Sequence, residues 1–211
     1  MSSKVDVSII DYGIGNILSV SRALEYCGAD VTVTRNIETI LSSSRVVLPG
    51  VGAYSQGMAE LCRFNLDKII KEIVLTRVPV LGICLGMQML LEESEEFGMT
   101  KGLGLISGKV VPIPNNIFQG NVLKIPHIGW NELEVNSKNK MLDGISNNEA
   151  FYFVHSYMAV LNSTSHCIAD SRYGDIRIPA VIGKDNVYGC QFHPEKSGEA
   201  GLRILKNFIS L

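Results

Sequence analysis

Nine residues, Val80-Leu-Gly-Ile-Cys-Leu-Gly-Met-Gln88, constrain the fold of this chain more than any other stretch. The apolar start reads as a buried strand over Val78–Ile83, and Leu85–Glu93 reads as a helix. Gly82 and Gly86 lie two positions either side of Cys84. Small residues at those positions let a chain turn sharply from strand to helix and expose the middle side chain at the carboxyl end of a sheet. A helix N-terminus aimed at Cys84 favours thiolate over thiol. The Leu85 N–H is then placed to donate to a developing oxyanion. The same spacing also suits a buried cysteine packed between two glycines, and the motif alone leaves both readings open.

The flanking sequence supplies the sheet. Val5–Ile10, Val31–Thr34 and Val46–Leu48 read as further strands. Ile17–Cys27 and Met58–Thr76 carry apolar residues at helical spacing, the latter with Leu61, Phe64, Ile69, Ile70 and Ile73 on one face. This alternation predicts an α/β fold, a mostly parallel central sheet flanked by helices. The second half changes character. Val110–Pro112, Leu123–Ile125, Glu132–Val135, Phe151–Val154, Met158–Leu161, Ile168–Asp170, Ala180–Lys184 and Val187–Gln191 read as short strands between turns. Asn115–Asn121 reads as an insert-like loop, and Gly198–Leu211 as a closing amphipathic helix. No linker or repeat divides the chain, so the expectation is one domain over residues 1–211 with an added antiparallel layer.

Charge and cysteine usage exclude several classes. With 19 Lys+Arg against 21 Asp+Glu the net charge is −2. No basic cluster is present, so no nucleic-acid partner is expected. The apolar run Val78–Leu91 is too short and too interrupted to span a bilayer. Met1–Asp11 lacks the long apolar core of a signal peptide, and no membrane association is expected. Cys27, Cys62, Cys84, Cys167 and Cys190 are irregularly spaced with no CxxC pair, which indicates neither a disulfide framework nor a zinc site. The expectation is a reduced, cytoplasmic protein without metal or cofactor.

Two more segments carry chemistry. In Gly189-Cys-Gln-Phe-His-Pro-Glu-Lys-Ser197, His193 and Glu195 are two apart, and residues so spaced near a strand end point the same way. Glu195 then holds His193 in the tautomer whose other nitrogen faces a thiol, ready to accept its proton and return it to an amine leaving group. An ordinary surface His–Glu pair at a strand end is the simpler reading of this segment on its own. Leu48-Pro-Gly-Val-Gly-Ala53 is a glycine-rich turn after a strand, able to bring backbone N–H groups to an anion. Asp11-Tyr-Gly-Ile-Gly-Asn16 is a poor dinucleotide fingerprint, since Ile17-Leu18 stand where the third glycine belongs.

Taken together, Gly82-Ile-Cys-Leu-Gly-Met-Gln88 and Phe192-His-Pro-Glu-Lys-Ser197 resemble the class I, triad-type glutamine amidotransferases. Pro49-Gly-Val-Gly-Ala53, Lys124-Ile-Pro-His-Ile-Gly-Trp-Asn131, Tyr152-Phe-Val-His-Ser-Tyr157, Asp11–Asn16 and Glu92-Glu-Ser-Glu-Glu96 narrow the resemblance to the glutaminase subunits of imidazole glycerol phosphate synthases, over essentially the whole chain. The resemblance implies Cys84 as nucleophile, His193 as base and Glu195 as its orienting acid. It implies oxyanion donors at Leu85 and in the turn with Val51 and Gly52, a turn that in the family reorients on partner binding. It places L-glutamine against Gln88, Glu96, His155, Ser156 and Tyr157, and a (β/α)₈-barrel cyclase partner, as a heterodimer, near Tyr12, Asn16, Trp130 and Tyr152. That partner would use the ammonia in histidine biosynthesis. The alternative within the family is ammonia supply for amidating a surface-polysaccharide sugar. A silent regulatory subunit and a stand-alone γ-glutamyl hydrolase are the readings from other classes.

The remaining candidates have simpler explanations. Trp130, the only tryptophan, suits an exposed edge in its Gly-flanked setting and so an interface. His127 and His155 lack metal-site spacing and read as core or loop histidines. The other four cysteines read as small hydrophobes. Glu92, Glu93 and Glu95 read as a solvated helix end.

Overall fold

The computed structural model describes residues 4–115, 117–118 and 121–211. The first half runs β1 (Asp6–Ile10), α1 (Ile17–Tyr26), β2 (Asp30–Thr34), α2 (Ile37–Ser42), β3 (Arg45–Gly50), α3 (Tyr54–Arg63), α4 (Leu66–Leu75), β4 (Val80–Cys84) and α5 (Leu85–Met89). The short strands β5 (Glu93–Ser94), β6 (Thr100–Lys101), β7 (Gly108–Pro112), β8 (Ile117–Phe118) and β9 (Asn121–Val122) follow. The chain continues through β10 (His127–Val135), β11 (Ala150–His155), β12 (Tyr157–Leu161), β13 (Cys167–Tyr173), β14 (Ile176–Lys184) and β15 (Val187–Cys190), and closes with α6 (Gly198–Ile209). Among the described residues no helix is long and apolar enough to cross a membrane.

The principal sheet has nine strands in the order β11-β10-β13-β14-β15-β4-β3-β1-β2. Strands β2, β1, β3, β4 and β15 run parallel. From β15 outward, β14, β13, β10 and β11 pair antiparallel. The expected antiparallel strands therefore extend the same sheet, and β12-β7-β5-β6 form a second one. The α/β expectation holds.

Alternation sends neighbouring residues of the parallel strands to opposite faces. Val7, Ile9, Val47 and Leu81 meet Val20 and Leu24 of α1 and Leu205 and Phe208 of α6. Ile10, Val46, Leu48 and Val80 meet Leu61 of α3 and Ile70 and Ile73 of α4. Both faces are covered, so all of β4 is buried and its sequence is continuously apolar. Leu205 and Phe208 are fully buried, and each contributes about 1.5–3 kcal/mol relative to exposure.

Five local expectations are corrected. Met58–Thr76 is two helices, because Asn65 takes a left-handed conformation (φ 57°) between them, which asparagine tolerates better than most residues. The helix after Cys84 stops at Met89: the Leu90 and Leu91 carbonyls accept from Leu105, Ile106 and Gly104 N–H groups at 2.9–3.1 Å. That redirects Glu93-Ser94 into the second sheet. Leu123–Ile125 is irregular, and the strand begins after Pro126, which has no N–H for a ladder. Helix α2 was unforeseen, although Asn36 caps it by accepting from Thr39 N–H at 2.9 Å. Within Asn115–Asn121, read as a loop, β8 pairs with β9 as a two-stranded antiparallel sheet; residues 116, 119 and 120 lie outside the described residues, as do residues 1–3 of the N-terminal stretch.

Candidate active site

The carboxyl ends of three parallel strands converge on Cys84. Gly50 at the end of β3 is in register with Cys84, and Cys190 at the end of β15 with Ile83. Cys84 itself has φ 54° and ψ −111°, a sparsely populated conformation that costs on the order of 1–3 kcal/mol. The flanking glycines are needed for contact. A Cβ on Gly82 would stand 2.7 Å from the Gly86 backbone, and one on Gly86 only 1.9 Å from the Leu48 carbonyl oxygen. Helix α5 is only five residues long, so it acts on Cys84 through the free N–H groups of its first turn rather than through a long dipole.

His193 and Glu195 form the second half of the site. His193 Nδ1 lies 2.8 Å from Glu195 Oε1, and both side chains are almost wholly buried. The pairing is not made by strand alternation, as expected, because β15 ends at Cys190 and Pro194–Lys196 is a 3₁₀ turn. Strand β11 holds this turn in place. His193 N–H donates to the Tyr152 carbonyl at 3.0 Å. Ser197 Oγ accepts from Tyr152 N–H at 3.0 Å and donates to the His193 carbonyl at 2.7 Å. Asn16 Nδ2 donates to Glu195 Oε1 at 3.4 Å.

Burial works against a charged His193, but the Cys84 sulfur nearby and the hydrogen-bonded Glu195 carboxylate outweigh it and lift its pKa from 6.5 to about 9. Because the folded value is raised, His193 contributes stability that is fully present below pH 6.5 and lost as pH rises through about 9. Urea unfolding at pH 6, 7.5 and 9.5 is expected to show this fall, and Glu195→Gln to flatten it. An equal fall in the variant would reject the assignment. Burial pushes the Cys27, Cys62, Cys167 and Cys190 thiols up, Cys167 to about 12, so none is an activated nucleophile.

A cavity of about 550 Å³ opens over Cys84. Its lining brings together Val51, Gly52, Leu85, Gln88, Glu96, His155, Ser156, Tyr157 and His193, with Glu195 behind the His193 ring. Glu96 accepts from the Tyr54 N–H at the start of α3, which ties the pocket wall to that helix. The other acidic residues are not a helix end: Glu92 accepts from Gly108 N–H at 3.1 Å, and Glu95 pairs with Lys109 at 2.7 Å. Trp130 is 57% exposed and sits opposite Tyr152 in the β10–β11 register. Tyr12 is a correction. Expected at the partner face, it is fully buried, and its hydroxyl donates to the Pro49 carbonyl at 2.7 Å.

Sequence reasoning missed Gln191. It is fully buried, its Oε1 accepts from Gln88 Nε2 at 3.0 Å, and its Nε2 lies 3.9 Å from Cys84 Sγ. It stands inside the His193 motif, but an amide does not titrate and no spacing rule marks it. Phe97, Pro126 and Lys196 also line the cavity unforeseen.

A cysteine on a strand–helix elbow, a buried His–Glu pair and a cavity over the sulfur together supply the groups that a Cys–His–Glu hydrolase site needs. The family profile described as glutamine amidotransferase class-I matches residues 8–211. A Legionella pneumophila (strain Lens) protein named imidazole glycerol phosphate synthase subunit HisH 1 is 49% identical over 97% of this chain and 99% of its own length. A Geobacillus sp. (strain WCH70) protein named imidazole glycerol phosphate synthase subunit HisH is 45% identical over 97% and 96%. The chain belongs to the class I glutamine amidotransferases, and within them to the HisH family. Among solved structures, PurLQS from Thermotoga maritima shares the fold at a TM-score of 0.75 and 19% identity, covering 99% of each chain. A structure titled glutamine amidotransferase shares it at 0.70 and 19%, covering 97% of this chain and 99% of that one.

Proposed function

We propose that this chain is the glutaminase subunit of an imidazole glycerol phosphate synthase, hydrolysing L-glutamine to glutamate and ammonia for histidine biosynthesis. The observation that carries the reading is Cys84 lining a cavity with the buried His193–Glu195 pair beside it. The Cys84 thiolate attacks the side-chain amide carbonyl. The Leu85 N–H and the Val51-Gly52 turn stabilise the oxyanion. His193, oriented by Glu195, protonates the departing ammonia, leaving a γ-glutamyl thioester. Water activated by the same ring then releases glutamate. Gln88, Glu96 and the His155–Tyr157 backbone hold the glutamine. No step calls for a metal or cofactor.

Ammonia protonates near neutral pH and then ceases to be a nucleophile, so it needs a sheltered path to its acceptor. The reading therefore includes a (β/α)₈-barrel cyclase as partner in a cytoplasmic heterodimer, with residues 1–211 acting as one domain. Asn16, Trp130 and Tyr152 are the proposed contact face. In its support, Trp130 and Ile128 are 57% and 58% exposed on β10, and Tyr152 anchors the His193 turn through its own backbone. A partner pressing on this face would act directly on the triad. The names of the relatives favour this acceptor over the polysaccharide alternative.

The test is ammonia release from glutamine by the purified chain, with and without the cyclase and the cyclase's nucleotide ligand. A slow rate alone and a large rise with the liganded partner is the expected result. A fast rate indifferent to the partner would reject the heterodimer reading, and no hydrolysis in any mixture would reject the glutaminase.

A further inference from the structure

Four polar contacts run in series from the cavity wall, where His155 and Tyr157 stand, away to Arg172. The Tyr157 carbonyl lies 2.8 Å from His155 Nδ1, and His155 Nε2 lies 3.0 Å from His127 Nδ1. His127 Nε2 lies 2.9 Å from Asn131 Oδ1, and Asn131 Nδ2 lies 2.7 Å from the Arg172 carbonyl. Both ends of the series are carbonyl oxygens, which only accept. Each of the four contacts needs one N–H in line. Two neutral imidazoles supply two, and the Asn131 amide supplies one, so one contact would set lone pair against lone pair. Exchanging the oxygen and nitrogen of Asn131 moves the conflict to Arg172, and changing a tautomer moves it to Tyr157 or between the rings. Exactly one added proton satisfies the whole series.

We propose that His127 carries this proton as a buried imidazolium and is a positioning residue for the cavity wall. Its ring is stacked between Phe153 (centroids 5.0 Å apart, 19° between planes) and Tyr173 (4.1 Å, 25°), and aromatic faces attract a cation. Burial alone pulls the His127 pKa below its ordinary value despite the Asn131 hydrogen bond; the donor count along the series is what holds the proton against that pull. His155 remains neutral: burial, together with the charges of His127 and His193, pushes its pKa to about 3. The cation fixes His155 in one tautomer, acceptor towards His127 and donor towards Tyr157. The Tyr157 carbonyl it holds also accepts from Gln88 Nε2 at 3.1 Å. His127 thus sets a wall that the glutaminase reading assigns to glutamine. The positioning role rests on that reading, whereas the proton count does not.

Nitrogen-15 NMR of the imidazole rings in the full chain at pH 7.5 tests the count. Three protonated nitrogens across His127 and His155 are expected, including both of His127, and a bare nitrogen on His127 would overturn the proposal. Asn131→Ala removes one acceptor and is expected to leave His127 Nε2 bare with His155 unchanged; a proton persisting there would reject the acceptor argument. With the cyclase present, His127→Gln is expected to raise the KM for glutamine about fivefold, the equivalent of one hydrogen bond, with a smaller change in kcat. An unchanged KM would overturn the positioning role. Absence of hydrolysis by the unmodified chain would instead reject the glutaminase reading and leave the proton count standing.

Discussion

Cys84→Ala is expected to lower glutamine hydrolysis by at least about 10⁴-fold, the scale seen when a triad nucleophile is removed. The site offers no substitute. Burial pushes up the other thiols, and Gln191, which contacts the sulfur, is an amide. The fold should survive, because alanine keeps the Cβ and loses only the sulfur. Cys84→Gly separates chemistry from strain. It should be equally inactive, yet gain about 1 kcal/mol over the alanine variant, because φ 54° suits glycine. Ammonia release with the cyclase present, alongside urea unfolding, reads both effects. Substantial turnover by either variant would place the nucleophile elsewhere.

Gly86→Ala is expected to give the largest loss of stability of any single methyl addition to the elbow, about 3 kcal/mol or more. The new Cβ would lie 1.9 Å from the Leu48 carbonyl oxygen, which is backbone of a fully buried strand segment and cannot rotate away. Gly28→Ala supplies the comparison. Gly28 has φ +97° with nothing within 4 Å of the added carbon, so its cost is conformational, about 1 kcal/mol. The shift in urea midpoint should be clearly larger for Gly86→Ala. Equal shifts would mean that the elbow glycine serves backbone conformation rather than close approach, and the packing account of the motif would fail.

The features legible from sequence were local ones. The continuous apolar run of β4 announced a strand covered on both faces. The glycines around Cys84 announced a turn too tight for side chains. His193-Pro-Glu195 named the right partners even though a 3₁₀ turn, not a strand, joins them. The errors also have a common origin. Met58–Thr76 kept its apolar periodicity across Asn65, so nothing in the pattern marked the break. The helix after Cys84 was cut short by N–H groups of residues 104–106, and these become neighbours only once the second sheet has formed.

Residue type and short-range spacing were therefore enough to mark the parallel core, the cysteine elbow and the pairing of His193 with Glu195. Those properties depend on two periods, 2.0 and 3.6 residues, and on steric limits within a few residues of chain. The fold alone decided that Tyr12 is interior and that Gln191 reaches the sulfur. It alone placed His127 against His155, 28 residues away. These outcomes depend on strand register, which pairs distant residues through backbone hydrogen bonds common to every sequence. A side chain's partner across a sheet is set by how the whole sheet closes, and local pattern does not encode it.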